Sequence, residues 1–202
     1  MTTCLVIGLP NAGKTCFVIN FAAYMGLSKI KLYKKKAAGY TLAKTLNVTY
    51  AQNCLVSSTE NFTRELQAIN IKIPAGKTEK ELKIVDTCGL KRGINPQKKL
   101  RKSMAHTIRE MQKHNVIIHI LDLQNISLHS KNTLHPMDEM IYNFCNQDKN
   151  YALLANKIDL NNNQKKYNTL VNSLKNLNHI YPISALYREG FKDVKLFFLN
   201  LF

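Results

Sequence analysis

The stretch "GLPNAGKT", Gly8 to Thr15, follows the apolar run "TTCLVIG" and leads into "CFVINFAAYMG". No other stretch restricts the fold as much. The apolar run reads as a buried strand. The residues after it carry helical spacing and stop at Gly26, a good C-terminal signal. The two glycines of the G-x-x-x-x-G-K-T spacing let the connecting backbone curl with its N–H groups inward. The helix start then offers its positive end to the same place. Such a turn suits phosphate. The amides of Asn11, Ala12, Gly13 and Cys16 would cradle it, Lys14 would neutralise β- and γ-phosphates, and the Thr15 hydroxyl would bind Mg²⁺.

The rest of the chain repeats strand and helix. "ELQAINIKIP" and "ELKIVDT" flank "AGKTEK" and read as a hairpin. "PQKKLRKSMAHTIREMQKH" reads as a helix with Pro96 near its first turn. "NVIIHILDL", "YALLANK" and "HIYPISA" read as strands, while "MDEMIYNFCNQ", "NQKKYNTLVNSLKNL" and "FKDVKLFFLNLF" read as helices. The alternation predicts a three-layer α/β fold with a mostly parallel sheet, and the hairpin adds one antiparallel edge strand. Residues 1–202 are expected to form a single domain. Residues 28–58 break the alternation and are predicted to be an insertion with some helix in its middle.

Composition limits the classes that remain. A chain of 202 residues can bury a core without staples. Its five cysteines are an odd number without zinc-ligand spacing, which predicts reduced thiols and a cytoplasmic protein. The N-terminus lacks a signal-peptide pattern, and no apolar run approaches the ~20 residues that span a bilayer. The formal net charge of +16 points to a polyanionic partner such as RNA or an acidic surface. A Lys/Asn-rich composition, with 24 Lys and 22 Asn, accounts for it equally well.

Three further motifs follow in order. In "IVDTCG", Asp86 ends an apolar strand and Gly89 completes D-x-x-G. After a phosphate loop, such an aspartate holds Mg²⁺ through water, and the Gly89 amide reaches the γ-phosphate. "NKID" decides the base. The Asp159 carboxylate can accept from guanine N1–H and the 2-amino group, a donor pair that adenine lacks. The Lys157 stem can cover the base, and Asn156 can tie its loop to the phosphate loop. In "SAL", Ser184 to Leu186, the Ala185 amide would donate to guanine O6.

Together these residues resemble the signature set of the small GTPase-type fold. "GLPNAGKT" and "DTCGL" resemble its Era-like branch, which includes tRNA-modification and ribosome-assembly GTPases. The likeness runs from Thr3 to about Phe198, with 28–58 unmatched. It implies a P-loop G domain that hydrolyses GTP with Mg²⁺ as cofactor and switches between nucleotide states. A G-domain binding module that holds GTP or GDP with little turnover is the alternative. "TREL" implies Thr63 as the first-switch threonine, which contacts Mg²⁺ and the γ-phosphate, with Thr59 as its rival. Lys14, Thr63 and Gly89 become the candidate catalytic residues. Leu90 stands where related proteins carry a water-orienting glutamine, so slow intrinsic turnover is expected. The likeness gives Asn11 a second role, as ligand of a K⁺ that replaces an arginine finger. A favoured turn residue is the other reading of Asn11. Basic clusters at 29–36 and 91–102 lie beside the switches and suit RNA, a ribosomal particle or an acidic surface. A GTP-dependent dimer is a further implied assembly.

Overall fold

The computed structural model describes residues 2–35, 41–56, 68–86, 108–109, 111–128, 133–146, 150–174 and 177–202. Among them, the elements in chain order are β1 (Thr2–Ile7), α1 (Lys14–Tyr24), β2 (Lys29–Lys35), β3 (Thr41–Asn47), α2 (Val48–Val56), β4 (Ala68–Ala75), β5 (Thr78–Asp86) and β6 (Val116–Asp122). A 3₁₀ turn (Leu123–Asn125) follows, then α3 (Pro136–Cys145), β7 (Tyr151–Asn156), α4 (Asn163–Ser173), β8 (Ile180–Ile183) and α5 (Phe191–Leu199).

The main sheet has the strand order β4-β5-β1-β6-β7-β8. All its pairings are parallel except β4 with β5, the expected edge hairpin. Its central strands β6 and β7 are buried along their whole length, as continuous apolar runs in a two-sided sheet should be. The pleat sends alternate side chains to opposite faces. Cys4, Val6, Ile118 and Ile120 join α1, α2 and α5 on one side. Leu5, Ile7, Ile117 and Leu121 join α3 and α4 on the other. These are the three layers.

Helix α1 is apolar around most of its circumference because it is covered on more than one side. Phe17 and Phe21 meet Phe191 of α5 edge-on at ring centroids 5.4 and 5.7 Å apart. Ala51 of α2 is fully buried in the same cluster. Among the described residues, the second layer holds a buried polar cluster. His119 bonds through Nδ1 to the Tyr151 hydroxyl and through Nε2 to the Asp138 carboxylate, both at 2.9 Å. Each member satisfies its neighbour, which is how a polar side chain survives in a core.

Residues 28–58 differ from expectation. Their middle is a strand, and the helix comes after it. β2 and β3 pair antiparallel from Lys29↔Asn47 to Lys35↔Thr41. The period-2 pattern of "TLAKTLN" favours that pairing, and Ile30 and Leu46 give one face a hold on the core. The helix starts only at Val48. The edge hairpin also turns more tightly than the sequence suggests. Gly76 (φ 63°) and Lys77 alone separate its strands, the short loop that a left-handed glycine permits.

Candidate nucleotide-binding site

The parallel strands end side by side, so their loops gather along one edge. Register pairs Val6 with Asp86, and Asn156 with Asp122 and Ile183. Ligands of open α/β sheets bind outside this carboxyl edge. The 8–15 loop, Asp86, "NKID" and "SAL" all lie there.

The phosphate loop needs its two glycines for packing as well as for curling. Gly8 has φ 144°, and a Cβ there would run into the Ile120 carbonyl of β6. Gly13 has φ 96°, and a Cβ would strike the Asn156 side-chain amide. Both φ values also disfavour any other residue. Asn11, exposed at the loop tip, takes φ 64°. Asparagine tolerates that left-handed conformation, so the turn reading of Asn11 has a structural basis. Ala12 is buried, and Gly13 and Cys16 are half-buried. Lys14 is buried and crosses the loop, donating to the carbonyls of Gly8 (3.0 Å) and Leu9 (2.7 Å). No acidic residue sits in the first turn of α1 to compete for an anion at its positive end.

On the metal side, Thr15 Oγ1 donates to Asp86 Oδ2 at 2.7 Å. Asp86 Oδ1 is also buried and has no hydrogen-bond partner among the described residues. Burial pushes the Asp86 carboxyl up to about 6, against the opposing pull of the Thr15 hydroxyl and the Lys14 ammonium. A buried carboxylate oxygen without a donor is costly. A hydroxyl beside a carboxylate with an oxygen to spare is also the hard oxygen donor set that suits Mg²⁺. These residues fit the ion.

On the base side, every group of Asn156 is used. Its Nδ2 donates to the Ala12 carbonyl (2.7 Å), and its Oδ1 accepts from the Ala185 amide (2.9 Å). One side chain thus joins three loops. The Ala185 amide, read from the sequence as a donor to guanine O6, donates to Asn156 Oδ1 in this structure. Ser184 is fully buried, and its hydroxyl accepts from the Tyr187 amide (3.1 Å), while Leu186 is exposed. Lys157 has φ 69° and pairs with Asp122 at 2.6 Å. Asp159 is exposed at the mouth. Asn163 is buried and donates to the Lys157 carbonyl (2.6 Å), which locks the "NKID" loop.

The sequence reading missed Asp122, Asn163 and a relay through Asn20. Asn20 Nδ2 donates to the Ala185 carbonyl (2.7 Å), and Asn20 Oδ1 accepts from Gln52 Nε2 of α2 (2.7 Å). Cys16 joins the same carbonyl through its thiol at 3.4 Å. Burial pushes that thiol's pKa up, which keeps it in the form that donates. A signal did exist for two of these residues. Asn20 interrupts an otherwise apolar helical run. Asp122 ends an apolar strand just as Asp86 and Asn156 do.

Thr59, Thr63, Cys88, Gly89, Leu90, the cluster 91–102 and most of the helix predicted after Pro96 lie outside the described residues. Among the described residues, no helix is long and apolar enough to cross a membrane.

A glycine-turned cradle at a helix start, a threonine–aspartate pair beneath it and an asparagine that ties it to the base loops define a P-loop G domain. The chain belongs to the 50S ribosome-binding GTPase family, whose pattern matches residues 41–157. GTP binding and hydrolysis is the general activity of that family. Its G domain is Era-like. It is similar to a variant of Aquifex aeolicus Era bound to GDP and AlF₄⁻, with TM-score 0.58 and 17% identity over 99% of this chain and 57% of that one. Era in complex with MgGDPNP and a fragment of 16S ribosomal RNA gives TM-score 0.59 and 16% identity over 98% and 56%. A GTP-binding protein of Sulfolobus solfataricus in complex with GDP gives TM-score 0.56 and 21% identity over 99% and 52%. The chain therefore spans little more than half the length of these structures. No curated protein sequence matches it significantly.

Proposed function

We propose that this chain is a Mg²⁺-dependent GTPase that acts as a nucleotide-dependent switch. The observation that carries the reading is the buried Thr15–Asp86 pair with its unpartnered oxygen, set beside the phosphate loop. Thr15, Asp86 and Thr63 would hold Mg²⁺, which when bound offsets phosphate charge. Lys14 would exchange its loop carbonyls for β- and γ-phosphate oxygens. The Asn11, Ala12, Gly13 and Cys16 amides would complete the cradle, and the Gly89 amide would report the γ-phosphate. Asp159 would select guanine, with Lys157 over the ring and Asn156, Ser184, Ala185 and Leu186 shaping its edge. Residues 28–58 are an insertion in one domain that covers 1–202.

Two finer features belong to this reading. Leu90 cannot orient a water, so turnover is slow. Asn11 would help to hold a K⁺ that stabilises charge developing in phosphoryl transfer. The polyanionic partner, RNA or a ribosomal particle, would bind through basic clusters 29–36 and 91–102. Multiple-turnover phosphate release from GTP tests the core of the proposal. We expect release that needs Mg²⁺ and runs faster in KCl than in NaCl. Equal rates in both salts would remove the K⁺ role. Tight GTP binding without release would favour the binding-module alternative.

A further inference from the structure

The β2–β3 pair is a two-stranded ribbon outside the main sheet, running beside edge strand β4. Its two faces have opposite character. Ile30 and Leu46 turn inward to the core. Register and pleat bring Lys29, Lys31 and Tyr33 of β2 to the other face, opposite Asn47, Thr45 and Ala43 of β3. Lys29 and Lys31 are exposed, and Tyr33 is half-buried. Lys31 Nζ lies 5.7 Å from the Tyr33 ring centroid. The small Ala43 opposite Tyr33 leaves the ring largely uncovered by its cross-strand neighbour.

The segment that forms this ribbon carries no acidic residue in its sequence. No Asp or Glu precedes Glu60, and the same stretch carries seven lysines. In the adjacent β4–β5 hairpin, Lys72 pairs with Glu79 at 2.8 Å. Glu81 lies opposite the same Lys72 in the register of the hairpin.

We propose that the outer face of this ribbon binds single-stranded RNA, with Lys29 and Lys31 on phosphates and Tyr33 under a base. It builds on the switch reading only in expecting a polyanionic partner and does not need GTP hydrolysis. Lysines alone would suit any polyanion. An aromatic ring among them adds a stacking surface, which a nucleobase can use and an acidic peptide or lipid headgroup cannot. The face carries no large aliphatic side chain to enter a bilayer. Successive same-face residues stand about 6.6–6.8 Å apart along a strand, a spacing that lets neighbouring side chains follow successive phosphates of an extended chain.

Fluorescence anisotropy with labelled oligouridine and the whole chain tests this. Lys29→Gln with Lys31→Gln should weaken binding about tenfold and lower the slope of log affinity against log salt by about 1.4, near 0.7 per lost contact. Tyr33→Ala should weaken it about fivefold or more, and Tyr33→Phe should restore it. GDP affinity should stay at the wild-type value in all three variants, which shows that they fold. Wild-type oligouridine affinity and salt slope in the double variant would overturn the proposal. So would equal competition by polyglutamate or anionic vesicles with no effect of Tyr33→Ala. A chain that binds oligouridine but no guanine nucleotide would overturn the switch reading and leave this one standing.

Discussion

The two sides of the nucleotide site are built differently. On the base side, the buried side chains of Asn156, Asn163 and Asn20 hydrogen-bond to loop backbone and hold the phosphate, "NKID" and "SAL" loops in place. On the metal side, Thr15 meets Asp86 once, and the second carboxylate oxygen has no donor among the described residues. The base side owes its shape to the fold alone. The metal side keeps an unmet electrostatic demand, which in the proposed function a cation would meet. The proposed switch would use that asymmetry: a stable base pocket would retain the nucleotide while the phosphate end would respond to its state.

Mutations should separate the two sides. The largest effect is expected for Asp159→Asn on the base side. GTP affinity should fall about a thousandfold or more, because a site built to accept two donors is left mismatched. Xanthosine triphosphate should gain, since its 2-oxo group suits an amide donor. Competition binding with both nucleotides measures this, and an unchanged preference would remove Asp159 from the base site. Asn156→Ala comes next. It leaves the Ala12 carbonyl and the Ala185 amide without this partner, at about 1–2 kcal/mol each. Urea unfolding without nucleotide should therefore show a loss of about 2–4 kcal/mol. A loss below about 0.5 kcal/mol would show that the base side is not held by this side chain. Asn20→Ala should cost about 1–2 kcal/mol and speed GDP dissociation several-fold, since Gln52 and the Cys16 sulfur lose a partner and the Ala185 carbonyl keeps only the Cys16 thiol. Stopped-flow release of a fluorescent GDP reads that rate. A wild-type rate would detach α2 from the site.

Some of this was legible in the sequence and some was not. The strands announced themselves because buried parallel strands are continuous apolar runs, and the motifs lie where those runs stop. Gly8, Lys14, Thr15, Asp86 and Asn156 were found that way. The ribbon was missed because the alternation in Thr41–Asn47 is short and broken by Lys44 on its apolar face, so the pairing with β2 is what makes it a strand. The relay from Gln52 through Asn20 to Ala185 spans residues far apart in the chain, and no local pattern encodes a long-range hydrogen bond. The exchange between Ala185 and Asn156 escaped for the same reason. Asn163 was hidden in "NNN", which reads as composition until its burial is seen.

The central claim is that Asp86 belongs to a cation site. Its carboxyl is raised to about 6 by burial. Between about pH 4 and 6 the unfolded chain releases this proton while the folded chain keeps it. Without a cation, folding stability should therefore fall as pH rises through that window, by about 1.4 kcal/mol per unit. Bound Mg²⁺ displaces the proton and restores the loss, so its stabilising effect should be full above pH 6 and fade below it. The direct measurement is thermal unfolding with GDP across pH 5 to 8, with and without Mg²⁺, for wild type and Asp86→Asn. The account predicts a Mg²⁺-dependent rise in Tm that grows through about pH 6 in wild type and is absent in the variant. An equal Mg²⁺ response in both proteins, or one independent of pH, would contradict it.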